Sequence, residues 1–116
     1  MTVVIYHNPR CSKSRQTLQL LEENGITPEV VTYLENPPSV DTLKTLYSQL
    51  ELTSVRGMMR TKESVYKDLN LADDSLSNDQ LFQAMVENPK LIERPIVVAN
   101  GKAKHGRPPE QVLELV

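Results

Sequence analysis

Apolar residues change their spacing along this chain, and each change marks an element. Thr2–Tyr6 is a short β-branched and aromatic run, the composition of a buried strand. It stops at His7-Asn8-Pro9, because proline cannot continue a ladder and asparagine favours a turn. From Ser12 the period becomes helical. Thr17, Leu18 and Leu21 recur at spacings of three and four, and Asn24-Gly25 is a C-terminal stop. Glu29–Tyr33, with Val30, Val31 and Tyr33, reads as a second strand. The first third is therefore strand, helix, strand, and the helix is long enough to cross over between parallel strands.

The middle of the chain keeps the helical period. Ser39 is placed to cap a helix carrying Val40, Leu43, Leu46, Tyr47 and Leu50 on one face. Ser54 is placed to cap a short helix over Val55–Arg60, and Val65–Leu69 predicts another turn. Ser77-Asn78-Asp79-Gln80 matches a capping box, with Leu81, Met85 and Val86 following at helical spacing until Asn88-Pro89. The last third switches again. Ile96–Ala99 is a continuous apolar strand, Asn100-Gly101 is a strong hairpin signal, and Lys102–His105 is the returning strand. Pro108 and Pro109 open a final helix through Val112 and Leu113. No repeat, linker or low-complexity tract interrupts this order, which predicts one α/β domain over residues 1–116. A mixed four-stranded sheet with helices on both faces is the natural packing: β-α-β, a helical block, then β-β-α.

Composition narrows the class. With 13 basic and 15 acidic residues, the net charge of −2 excludes a nucleic-acid binder driven by bulk charge. No apolar run approaches the roughly 18 residues needed to span a membrane. The N-terminal Met1–Tyr6 has no basic region leading into an apolar stretch, so no signal peptide is expected, and the cytoplasm is the expected location. One cysteine, Cys11, allows neither an internal disulfide nor a cysteine-based zinc site. His7 and His105 lie far apart, and no metal is expected.

Cys11 falls between the first strand and the first helix, in His7-Asn8-Pro9-Arg10-Cys11-Ser12-Lys13-Ser14-Arg15. Inert cysteines sit in apolar strands or helix faces; this one sits in a polar, cationic turn. The helix start offers unsatisfied N–H groups and a positive dipole end, and Arg10, Lys13 and Arg15 add positive charge. Such a place favours a thiolate and suits a tetrahedral anion. The plain alternative for Arg10 and Lys13 is a solvated face, and for His7 a structural hydrogen-bond partner. The second position of a Cys-x-x-Cys pair is Ser14, so any redox cycle must take its other thiol from outside.

Five stretches together carry a resemblance. They are Tyr6-His7-Asn8-Pro9-x-Cys11-x-x-Ser14-Arg15; Tyr33-Leu34-Glu35-x-Pro37-Pro38; Val55-Arg56-x-x-x-Arg60; Glu93-Arg94-Pro95-Ile96-Val97-Val98; and Gly106-Arg107-Pro108. In this order, over essentially the whole chain, they resemble the glutaredoxin-coupled arsenate reductase (ArsC) family. The resemblance implies a thioredoxin-like fold with a helical insertion. It implies that Cys11 attacks arsenate to form a covalent adduct, which glutathione and glutaredoxin resolve to arsenite. It puts the oxyanion-binding arginines at Arg60, Arg94 and Arg107, and the residues that favour the thiolate at His7, Ser14 and Arg15. No cofactor is bound in this scheme; glutathione is a co-substrate, and neither nucleic acid nor membrane is a partner.

Guanidinium groups suit this task, since they bind tetrahedral oxyanions bidentately and keep their proton. Thioredoxin-like folds usually set a cis-proline opposite the cysteine, so a cis Arg94–Pro95 bond is expected. Ser12-Lys13 stands where arsenic-resistance enzymes commonly carry Gly-Thr, and the chain stops right after the last helix; both resemble the shorter, housekeeping branch. Two alternatives share these residues. A monothiol glutaredoxin-like enzyme is compatible with Cys11-x-x-Ser14, and the Spx relatives of the family bind RNA polymerase, although they use a Cys-x-x-Cys switch.

Overall fold

The computed structural model describes residues 2–116. The described residues divide into two compact units: residues 2–36 with 94–116, and residues 37–93 between them.

The first unit is built on four strands: β1 (Val3–Tyr6), β2 (Glu29–Val31), β3 (Ile96–Ala99) and β4 (Lys102–His105), in the spatial order β2-β1-β3-β4. The β1–β2 pair is parallel, with Ile5 opposite Val30, because helix α1 (Ser12–Glu23) returns the chain to the same end of the sheet. β1 and β3 are antiparallel, with Ile5 opposite Val97. β3 and β4 form the expected hairpin, in which Asn100 (φ 55°) and Gly101 (φ 75°) take the left-handed conformations that a tight turn demands. Alternate residues of β1 and β3 point to one face. There Val3, Ile5, Val97 and Ala99 form one buried cluster with Leu21 of α1 and with Val112 and Leu115.

Several details differ from the sequence reading, and the short helix expected over Val55–Arg60 is a 3₁₀ turn that ends at Met58. β2 ends at Val31 rather than Tyr33. The His7 N–H takes the Val31 carbonyl, and the Thr32 carbonyl then accepts from Glu35 and Asn36, which turns the chain. The last segment, Pro109–Leu115, is a 3₁₀ helix rather than an α-helix. It still buries Val112 and Leu115, because apolar spacing of three serves a 3₁₀ turn as well.

The second unit is the expected helical insertion. α2 (Val40–Gln49) is capped by Ser39, whose hydroxyl accepts from Thr42 N–H at 3.1 Å. A 3₁₀ turn (Val55–Met58) is capped by Ser54, and α3 (Ser64–Asp68) is brief. α4 (Asn78–Glu87) opens on the full capping box of Ser77 and Gln80. Its Phe82 ring meets Tyr47 of α2 edge-on at 5.9 Å. Leu43, Leu46, Val55, Met58, Tyr66, Leu81, Phe82, Met85 and Leu91 are buried. Arg56, part of the sequence motif, is a tether. Its guanidinium donates to the carbonyls of Leu71 and Asp73 at 2.9–3.0 Å.

Candidate active site

The loop after β1 is fixed by its own polar groups. The Asn8 side chain accepts from Arg10 N–H at 3.0 Å, and Cys11 N–H donates to the Asn8 carbonyl at 3.0 Å. This delivers Cys11 to the N-cap of α1 with extended φ/ψ of −95° and 124°. Its sulfur thus occupies the place where a capping oxygen ordinarily accepts the first free N–H groups. Cys11 is only 8% exposed.

Opposing influences act on the thiol. Burial pushes its pKa up, but the Ser14 N–H, the Arg94 charge, the Lys13 N–H and the Arg107 charge all pull down, and the net result lies below the ordinary value. Arg107 Nη2 stands 3.7 Å from Cys11 Sγ, 96 residues apart in sequence. Arg107 Nε donates to the Arg94 carbonyl at 2.8 Å, and Gly106 N–H donates to the Pro95 carbonyl at 3.1 Å. Those bonds join the two arginine-bearing loops. Arg94–Pro95 is cis, as the sequence led one to expect; Arg107–Pro108 is cis too, which the sequence reading did not anticipate.

His7, Ser14 and Arg15 form a distinct set beside the thiol. Ser14 is fully buried, and its oxygen accepts from Asn8 N–H at 3.0 Å and lies 2.6 Å from His7 Nδ1. With one oxygen lone pair taken by Asn8, the Ser14 hydroxyl is free to donate to a neutral His7. Burial and the nearby Arg15 charge both lower the His7 pKa, which keeps the imidazole neutral near pH 7. Ser14 therefore acts on the sulfur through its backbone N–H, while its hydroxyl serves His7. Arg15 Nη1 donates to the Pro9 carbonyl at 2.9 Å, and its charge bears on His7.

Arg60 belongs to the second unit. Its N–H takes the Leu91 carbonyl at 2.7 Å, beside a bridge between Met59 and Ile92, and its guanidinium pairs with Glu63. Among the described residues no group of three or more His, Cys, Asp or Glu side chains converges as a metal site would require. No helix among them is long and apolar enough to cross a membrane. Sequence reasoning missed Thr17 and Gly106. Thr17 reads as one more apolar-face position of α1, and Gly106 reads as a turn residue before Arg107-Pro108.

A sheet in the order β2-β1-β3-β4, with a thiol at the start of the helix after β1 and a cis-proline before β3, defines a thioredoxin-like thiol protein. The chain belongs to the ArsC family, whose profile matches residues 6–115. It is 68% identical to the Escherichia coli K12 protein YfgD, which is uncharacterized, over 98% of this chain and 96% of that one. It is 53% identical to an arsenate reductase of Haemophilus influenzae over 100% of both chains. The solved structure of an arsenate reductase from Vibrio cholerae superposes with a TM-score of 0.99 at 68% identity, covering 100% of this chain and 98% of that one.

Proposed function

We propose that this protein is an oxidoreductase that reduces arsenate, with Cys11 as the nucleophile. The observation that carries this reading is the Cys11 sulfur at the start of α1 with Arg107 Nη2 at 3.7 Å. A nucleophilic thiolate needs its charge sustained, and attack on an anionic tetrahedral substrate needs cations aimed at the adduct. Arg94 and Arg107 supply both. The names of the Haemophilus and Neisseria relatives, 53% and 54% identical, support arsenate as the oxyanion.

In the proposed cycle the sulfur of Cys11 bonds to arsenic, and an arsenate oxygen is protonated and leaves as water. Arsenic remains pentavalent in this adduct. Glutathione then attacks, and a glutaredoxin thiol completes the reduction. The two external thiols give up two electrons and end as a disulfide; arsenic becomes trivalent and leaves as arsenite, and Cys11 returns to the thiolate. His7, Ser14 and Arg15 hold the loop that presents the thiol. Arg60 is assigned as the third oxyanion arginine on the family resemblance, which requires its guanidinium to exchange Glu63 for substrate. The glutathione supply that the cycle draws on is that of a reducing cytoplasm.

The test is purified protein with arsenate, glutathione and glutaredoxin, coupled to NADPH oxidation through glutathione reductase. Arsenate-dependent NADPH loss is the expected result. Turnover of a glutathionylated disulfide without any arsenate turnover would replace this reading with that of a monothiol glutaredoxin-like enzyme.

A further inference from the structure

Gly106 directly precedes Arg107, and it has no room for a side chain. A Cβ built there would stand 2.2 Å from Thr17 Oγ1, 2.9 Å from Thr17 Cγ2 and 2.8 Å from Pro95 Cγ. Contacts that short are forbidden, so either the loop or α1 would have to shift. Gly106 has no positive φ among the glycines that do, so the turn itself does not require glycine. The requirement comes from close approach.

Thr17 is the other side of that approach. It is fully buried on α1, and its hydroxyl donates to the Lys13 carbonyl at 2.8 Å, which fixes the side chain against the first turn of the helix. The same turn carries the Ser14 and Lys13 N–H groups that act on Cys11. On the loop side, Gly106 N–H to Pro95 and Arg107 Nε to Arg94 tie both arginine-bearing loops into one piece. Thr17 against Gly106 is thus a hard stop between the piece that carries the arginines and the helix that carries the thiol.

We infer that Thr17 and Gly106 are positioning residues: their contact sets the distance from the Arg94 and Arg107 guanidinium groups to the Cys11 sulfur. The role in turnover rests on the arsenate reading above, but the distance itself can be read without arsenate. A cation withdrawn from a thiolate raises the thiol pKa, and attraction over a few ångströms falls steeply with separation in a partly buried place.

The experiment follows the rate of Cys11 alkylation by iodoacetamide against pH, with far-UV circular dichroism and thermal unfolding as controls. Gly106→Ala is expected to raise the alkylation midpoint by about half a pH unit or more. Thr17→Ala removes both Thr17 atoms that the new methyl would strike and leaves only Pro95 Cγ, which a change of ring pucker moves aside, so the Thr17→Ala, Gly106→Ala double variant is expected to return the midpoint part of the way toward wild type. A merely structural glycine would lower thermal stability and leave the midpoint alone. A folded Gly106→Ala protein with the wild-type midpoint overturns the inference. So does a double variant whose midpoint stays with that of the single variant. If Gly106→Ala alone does not fold, the double variant must fold with a near-wild-type midpoint; its failure to fold also overturns the inference. Arsenate turnover is measured in parallel and is expected to fall in Gly106→Ala through kcat. Absence of turnover in the wild type would count against the arsenate reading and leave the alkylation result standing.

Discussion

Cys11 stands where a helix would ordinarily place serine or aspartate, and its sulfur feels the Ser14 and Lys13 N–H groups without making a capping hydrogen bond. That substitution makes the thiol acidic even though it is buried, since the Ser14 and Lys13 N–H groups and two guanidinium charges outweigh the cost of burial. The alkylation midpoint of Cys11 is accordingly expected below the ordinary thiol value of about 8.5. Cys11→Ser should abolish arsenate turnover in the coupled assay, since a serine hydroxyl at the same place stays protonated. Arg94→Lys is expected to cost about 10²-fold in kcat/KM, because a point charge cannot replace the planar fork. Near-normal kcat/KM in Arg94→Lys would remove it from the oxyanion site. Burial and the Arg15 charge lower the pKa of His7, and its ring bonds the Ser14 hydroxyl beside the thiol.

Elements were legible where local chemistry decided them. The caps at Ser39, Ser54 and Ser77 each accept the N–H their spacing foretold, because capping is settled within four residues. The Asn100-Gly101 turn is equally local. Its Gly101, at φ 75°, has open space around a would-be Cβ, so Gly101→Ala should cost only the backbone term of about 1 kcal/mol. Ser77→Ala should cost about 1 kcal/mol through loss of the α4 cap. Denaturant unfolding measures both, and neither variant should move the Cys11 alkylation midpoint, in contrast to Gly106→Ala. What sequence periodicity misjudged were ends. β2 stopped at Val31 because Thr32 collects two N–H donors, and the last segment tightened to 3₁₀ over the sheet.

For the whole molecule, an acidic thiol ties stability to pH. The folded-state pKa of Cys11 lies below that of the unfolded chain, so its contribution is fully present above the unfolded value and is lost as pH falls through the folded one. The stability of the wild type relative to Cys11→Ser should therefore grow in denaturant melts as pH rises toward the unfolded thiol value of about 8.5, and a flat difference would refute the lowered pKa. The single thiol has a second consequence. In the proposed cycle the adduct forms at Cys11, and the chain holds no second cysteine to resolve it, so turnover should stop when external thiol is withheld.

By itself the sequence determined the order of elements, the family resemblance and the place of the single thiol at the start of the first helix, from which the proposals of a Cys11 nucleophile and an external thiol follow, because these rest on neighbours in the chain and on counting one cysteine. It also marked Arg94 and Arg107 by their prolines. Only the tertiary structure decided that Arg107 reaches the sulfur across 96 residues, that Ser14 serves it through N–H rather than hydroxyl, and that Thr17 meets Gly106. Periodicity and propensity act over a few residues, whereas these distances arise from the register of four strands and the packing of α1 against a distant loop.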